Sequence, residues 1–294
     1  MPTRPQTLSA ICVALLTCVI GGTACTGADL PQESNLDRLR ILAVRATPAE
    51  PSPGDEVTFE ALTFAPDAHA VGLLWTLCQN PADCPSTEFR ESAAARVQAG
   101  EADLAAGLFG VQPGPTPSYQ VPIGVLDPVP EPQRREGIEV SIGILGVDLD
   151  EPSSTEEWGR KAVPISESAA PNRNPDLDGI TVDGVEHVVG DPIRVSAGEG
   201  IDLDTLPADT AAQTYTYINT SGETETREEA LQMSWYSDIG TINIDDGPGG
   251  GLGNDGEVQG DWIAPDGAAE GVLIAVVRDG RGGTGWLSFD VVVE

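Results

Sequence analysis

A chain of 294 residues with a formal charge of −32 has room for two domains, and its acidity repels phosphate backbones, which excludes nucleic acid as a partner. Glycine (34) and proline (24) are abundant while short Val/Ile/Leu runs recur, so the composition predicts an all-β protein.

The N-terminus is a targeting segment by its pattern. Met1–Thr7 carries one Arg and no acid, Leu8–Ile20 is a largely apolar run, and Gly21–Ala24 are small residues ahead of Cys25. This order of basic, apolar and small residues predicts a signal peptide over residues 1–24. Its thirteen apolar-run residues rise only ~20 Å as a helix, short of the ~30 Å hydrocarbon core, so a permanent span is not expected. The small residues before Cys25 resemble the lipobox of bacterial lipoproteins, in which the Cys is diacylated. That resemblance implies a lipid anchor on Cys25 and a membrane partner. Gly22 departs from it, standing where the family has an aliphatic residue, and the alternative is a soluble exported protein cut after Ala24. Residues 25–37 are polar and aperiodic, as a tether would be.

Residues 38–168 read as a first sandwich. A strand at Leu39–Ala46 is followed by a turn at Gly54-Asp55, a strand from Val57, and a Trp-bearing strand, VGLLWTLC, with Trp75. Cys78 and Cys84 follow closely. In an oxidising compartment they are expected to form a disulfide around a small loop, contributing roughly 2–2.5 kcal/mol. Residues 87–108 are Ala-rich with loosely helical apolar spacing, which predicts a short helical insert broken at Gly100. Pro113–Pro132 is Pro-rich, with a strand expected at Tyr119–Leu126. A hairpin at Ile138–Ile165 completes this half and carries Trp158.

Residues 169–180 read as a linker. Within it Asn174, Asp176 and Asp178 offer oxygen ligands at alternate positions before Gly179, like the front half of a calcium loop. A bidentate Glu is wanted six places beyond Gly179, where Val185 stands. The competing reading is a Pro/Asn turn, so no cofactor is required and calcium is the one candidate.

Residues 181–294 repeat the plan. A strand at Ile193–Val195 leads to a turn at Gly198-Glu199, a strand from Ile201, a Trp strand LQMSWYS with Trp235, and a final hairpin over Gly271–Glu294. In that hairpin Leu287, Phe289, Val291 and Val293 alternate with polar residues or Trp286. Pro207–Glu229 is a Thr-rich acidic insert, read as an exposed loop or added strand. Unequal spacings between the repeated glycines and tryptophans place the insertions in loops, where added length costs little.

The Gly-acid turns, the tryptophans and VVRDGRGG at Val276–Gly283 resemble tandem bacterial immunoglobulin-like or PKD-like domains. The resemblance implies two tandem immunoglobulin-like β-sandwiches after the signal segment, with Trp75, Trp235, Trp158 and Trp286 as structural core. It also implies a role in binding, spacing or display, and a cell-envelope address, outer-membrane-anchored or periplasmic. No GxSxG or HExxH motif occurs, and His69 and His187 read as surface residues, so no enzyme is expected. Trp262, Tyr215 and Tyr217 stand outside the repeated positions; exposed, they would suit a protein or glycan partner. The expectation is a non-enzymatic envelope lipoprotein. Its alternatives are a calcium-rigidified adhesin-like rod and a soluble secreted binding protein.

Overall fold

The computed structural model describes residues 34–78, 116–151, 156–218, 221–243 and 260–294. The signal segment, Cys25, Cys84, the helix expected in 87–108 and the Gly-rich stretch at 245–256 lie outside them. Residues Glu33–Glu294 form one compact unit. Among the described residues no helix is long and apolar enough to cross a membrane.

The protein is all-β, and its strands gather around two separate cores. The first six strands are β1 (Arg40–Thr47), β2 (Glu56–Phe64), β3 (Val71–Cys78), β4 (Ser118–Gln120), β5 (Ile138–Asp148) and β6 (Glu157–Ile165). They make two three-stranded sheets, β1-β2-β4 and β3-β5-β6. The period-two pattern of β2 turns Val57 and Phe59 inward, where they meet Trp75 of β3 and Ile142 and Ile144 of β5. The rings of Phe59 and Trp75 lie tilted with centroids 6.0 Å apart. This strand distribution, first with second and a short later strand against third with the last two, is that of an immunoglobulin-like sandwich. The strand expected at Tyr119–Leu126 stops after Gln120, where Pro122 ends donation to the ladder and turns begin. The one α-helix among the described residues, α1 (Glu131–Arg134), is a single turn ahead of β5.

The second group comprises β7 (Leu177–Val182), β8 (Val185–His187), β9 (Ile193–Val195), β10 (Gly200–Pro207), β11 (Thr214–Ile218), β12 (Thr224–Glu228), β13 (Gln232–Ser237), β14 (Thr241–Asn243), β15 (Gly260–Ile263), β16 (Ala269–Arg278) and β17 (Thr284–Val293). Sheet β14-β15-β10-β7-β8 faces sheet β13-β16-β17-β9, and β9 runs parallel to β17. Trp235, Trp262, Leu203, Phe289 and Val291 fill the space between. The acidic insert 207–229 is a separate hairpin, β11-β12.

The hydrogen bonding of the two halves repeats closely. Gly54 and Gly198 both have positive φ, 92° and 72°, which a side-chain-free residue adopts without strain. Beside them Ser52 N–H donates to Asp55 (2.8 Å), as Ser196 N–H does to Glu199 (2.7 Å). Gly54 N–H reaches Val121 O, and Gly198 N–H reaches Pro265 O. Trp75 pairs with Ile144 and Trp158 with Leu145; Trp235 pairs with Ala275 and Trp286 with Val276.

That register corrects one expectation. Paired residues on neighbouring strands point to the same face, and successive residues to opposite faces. Trp158 and Trp286 therefore point away from the interior that Trp75 and Trp235 occupy. Both are half-buried, and neither belongs to a sandwich core. Trp262, in contrast, is fully buried, and its indole N–H donates to Ile239 O (3.0 Å).

Candidate binding groove and the seam that frames it

The two cores meet along a seam. Leu42 and Ala43 of β1 pack with Ile274 and Val276 of β16, and Trp286 and Tyr236 close over them. The apolar run of β16 is thus buried on both faces. Leu273 and Ala275 serve the inner core, while Ile274 and Val276 serve the seam. Arg45 lies 4.4 Å over the Trp286 ring, which accounts for the half-burial of that indole.

The polar half of the seam is organised by the β16–β17 turn. Asp279, 3% exposed, accepts through Oδ1 from the N–H groups of Arg281 (2.7 Å) and Gly283 (2.9 Å), and through Oδ2 from Asn172 Nδ2 (2.8 Å). A Cβ on Gly283 would lie 1.9 Å from Asp279 Oδ2, so only glycine lets the carboxylate sit over the turn. The turn in this form aims Arg281 at two acids. Nη1 donates to Glu229 Oε1 (2.7 Å) and Nη2 to Glu50 Oε2 (3.0 Å). Glu229 also accepts from Gln213 N–H (2.8 Å), and burial pushes its carboxyl above the ordinary range. Glu50 accepts further from Asn172 N–H (2.7 Å) and from the Ser166 hydroxyl. One guanidinium thereby joins the turn after β1 to the segment leading into β13, with every participating carboxylate hydrogen-bonded.

Lys161 of β6, the single lysine of the chain, is buried in the same seam. Its Nζ donates to Thr284 Oγ1 (3.0 Å) and to Gly282 O. Burial pushes its pKa down to about 8, against the opposing pull of Asp279. Arg278 donates to Leu42 O (2.8 Å) and Ser234 Oγ (3.1 Å).

The calcium loop expected at Asn174, Asp176 and Asp178 is not assembled. Asn174 Nδ2 donates to Ala46 O (2.8 Å) and its Oδ1 accepts from Thr284 N–H (3.0 Å), so the amide serves the seam. Asp176 and Asp178 are exposed, the latter within β7. Among the described residues no cluster of three or more His, Cys, Asp or Glu could hold a metal ion. The alternating oxygens reflect an extended backbone entering a strand, which presents every second side chain to one side whatever its chemistry.

Beside the seam lies an open groove of about 390 Å³. Residues of the β11-β12 hairpin, which is inserted between β10 and β13, line it together with Arg135, Glu136 and Ser168–Ala170. Tyr215 and Tyr217, two apart on β11, share a face with ring centroids 6.1 Å apart. The Arg281 guanidinium lies 4.3 Å over Tyr215 and that of Arg227 lies 4.5 Å over Tyr217. The Tyr217 hydroxyl donates to Glu225, whose carboxylate holds the phenol pKa above its usual value. The hairpin is therefore fastened at its base by the same arginine that closes the seam.

His69 is placed differently from its sequence reading. Its Nδ1 lies 2.8 Å from Asp148 Oδ2, and Asp148 Oδ1 accepts from the N–H groups of Asp150 (3.0 Å) and Glu151 (2.9 Å). The hydrogen bond to Asp148 raises the His69 pKa and lowers that of Asp148. His187 sits half-buried on β8. Cys78 ends β3, and its expected partner Cys84 lies outside the described residues. Glu50, Asn172, Glu229, Arg281 and Lys161 were not singled out as a constellation by sequence. The available signals were the Arg set between glycines in VVRDGRGG and the isolation of the one lysine.

No protein-family model matches the chain, and no curated protein does. Among solved structures it is similar to a nucleoside hydrolase-related hypothetical protein from Saccharophagus degradans (16% identity, 44% of this chain, TM-score 0.25), of whose length it spans about a quarter, 27%. It is similar also to the D00-D0 domain of intimin (10% identity, 87% of this chain and 98% of that one, TM-score 0.24). A third is the Bacteroides ovatus SGBP-B in complex with a mixed-linkage heptasaccharide (11% identity, 88% and 48%, TM-score 0.21). Superpositions this loose carry no argument about function.

Proposed function

We propose that this chain is an exported, non-enzymatic binding protein of the cell envelope. In this reading two tandem immunoglobulin-like sandwiches, bounded near residues 38–168 and 181–294, are held from the membrane by a lipid on Cys25, with a Cys78–Cys84 disulfide in the first. The observation that carries it is the seam: Arg281, Glu50, Glu229, Asp279 and Lys161 hold the β11-β12 hairpin and both cores in fixed relation, leaving a preformed groove beside them. Binding sites are concave and largely preformed, and a rigid frame lowers the ordering cost of binding.

The test is made on the native chain. Mass spectrometry of the mature N-terminus should find an acylated Cys25, and Cys25→Ser should move the protein from membrane to soluble fractions. An unmodified N-terminus after Ala24 would favour the soluble secreted form and remove the anchor. Turnover abolished by substitution at His69 or Asp148 would overturn the non-enzymatic reading.

A further inference from the structure

We infer that a second cleft on the seam, lined by β1, β6 and the β16–β17 turn, holds the carboxylate of a small acid with an apolar body. This goes beyond the binding reading above and does not depend on the groove at the β11-β12 hairpin.

The cleft is open and measures about 310 Å³, at the small end of ligand sites. The chain carries 47 acids against 15 Lys and Arg, yet no acidic residue lines this cleft, while Arg160, Lys161 and Arg278 do. Strand register assembles its polar wall. Gln232 of β13 pairs with Arg278 of β16, which pairs with Thr284 of β17, so the three side chains share one face. Lys161 reaches the same row from β6, donating to Thr284 Oγ1 (3.0 Å).

The cations of this row are hydrogen-bonded but not neutralised. Lys161, 7% exposed, gives two of its three N–H groups to Gly282 O and Thr284 Oγ1. Arg278 gives two of its five to Leu42 O and Ser234 Oγ. All four acceptors are uncharged, and neither cation pairs with a carboxylate among the described residues. Asp279 is close enough to attract Lys161, but its oxygens accept from the N–H groups of Arg281 and Gly283 and from Asn172 Nδ2. Burial pushes the Lys161 pKa down to about 8 and Arg278 adds to the fall, with Asp279 offsetting only part of it. Arg160, exposed, is engaged by Glu139 (3.5 Å). An oxyanion against Lys161 and Arg278 would supply the missing charge and accept from the unspent donors of both.

The net charge of −32 decides which anion enters. Repulsion grows with ligand charge, and local cations prevail only within a Debye length of ~8 Å, so a monoanion is favoured over phosphate or a polyanion. The rest of the lining includes Ile41, Ala43, Val44 and Ala162 and no aromatic ring, which suits an alkyl body.

Lys161 is the single lysine, so carbon-13 at lysine Cε gives one side-chain resonance from the full chain. The probes are hexanoate, N-acetyl-alanylvaline with a free C-terminus, the amides of both, and inorganic phosphate. At least one acid should shift that resonance saturably while its amide does not, and the tighter acid tells a free acid from a peptide C-terminus. Binding should raise the Lys161 pKa by about one unit or more, so affinity falls about tenfold or more from pH 7 to pH 10. Arg278→Met, read by calorimetry, should weaken binding about tenfold or more, and Arg278→Lys, which keeps the charge, by less. The acid-against-amide comparison uses the unaltered chain and decides the matter even where a variant folds poorly. Equal shifts with acid and amide, or a shift with phosphate alone, would overturn the carboxylate assignment. An affinity unchanged between pH 7 and pH 10, or no shift with any probe, would overturn the site.

Discussion

Replacing Arg281 with Met tests the seam at its centre. The substitution keeps most of the side-chain volume and removes the charge, leaving Glu229, with a fully buried side chain, and Glu50, 7% exposed, without their cation. Removing one member of a buried ion pair costs about 3–5 kcal/mol, mainly because the remaining charge stays desolvated. The penalty should depend on pH, and its sign follows from the acids. Burial already raises the Glu229 pKa in the folded state, and Arg281 opposes that rise. Without Arg281 the folded-state pKa climbs further above the unfolded value near 4.3, so the folded variant takes up a proton before the unfolded chain does. Stability of the variant relative to the parent is therefore lowest at pH 7 and recovers as pH falls toward 5. Urea unfolding followed by tryptophan fluorescence at pH 7 and 5 measures both effects. Adding Glu229→Gln to Arg281→Met should recover part of the loss at pH 7. A variant within about 1 kcal/mol of the parent, or a deficit equal at the two pH values, would refute the reasoning.

Lys161→Met addresses the other buried charge. Because the lysine pKa falls to about 8 from an unfolded value near 10.4, the folded chain releases the proton first and gains about 3 kcal/mol of stability between pH 8 and 10.4. That gain should be absent from the Met variant, so the difference between the two unfolding profiles isolates it; parallel profiles would contradict it. His69 should titrate in proton NMR above the free histidine value, and Asp148→Asn should return it toward about 6.5. The pair's contribution has two limits. The His69 part is lost as pH rises through its raised pKa, and the Asp148 part as pH falls through its lowered one. Finally, Trp262→Phe should cost about 1 kcal/mol more than Trp235→Phe. The former removes the indole hydrogen bond to Ile239 O, leaving that carbonyl only the one from the Ser237 hydroxyl, whereas Trp235 Nε1 has no hydrogen-bond partner among the described residues. Equal losses in thermal or urea unfolding would count against that.

Strand positions were legible in the sequence because alternation and turn chemistry are local. Val57 and Phe59, the Gly54 and Gly198 turns, the Trp75 and Trp235 strands and the final hairpin follow from a period of two and from residues that tolerate positive φ. The candidate site was not legible. Arg281 lies 231 positions from Glu50 and 52 from Glu229 along the chain, and among 47 acidic residues nothing local marks Glu50 and Glu229 as buried. Trp158 and Trp286 were misplaced because composition names an aromatic while only register assigns its face. The apolar run of β16 already hinted that both of its faces are covered, but what covers the outer one is β1, more than two hundred residues earlier. The sequence by itself determined which segments are strands and where they turn, since backbone geometry repeats over two residues. Tertiary structure alone decided which sheet faces are buried twice and which charges are desolvated, because those depend on surfaces brought together from opposite ends of the chain.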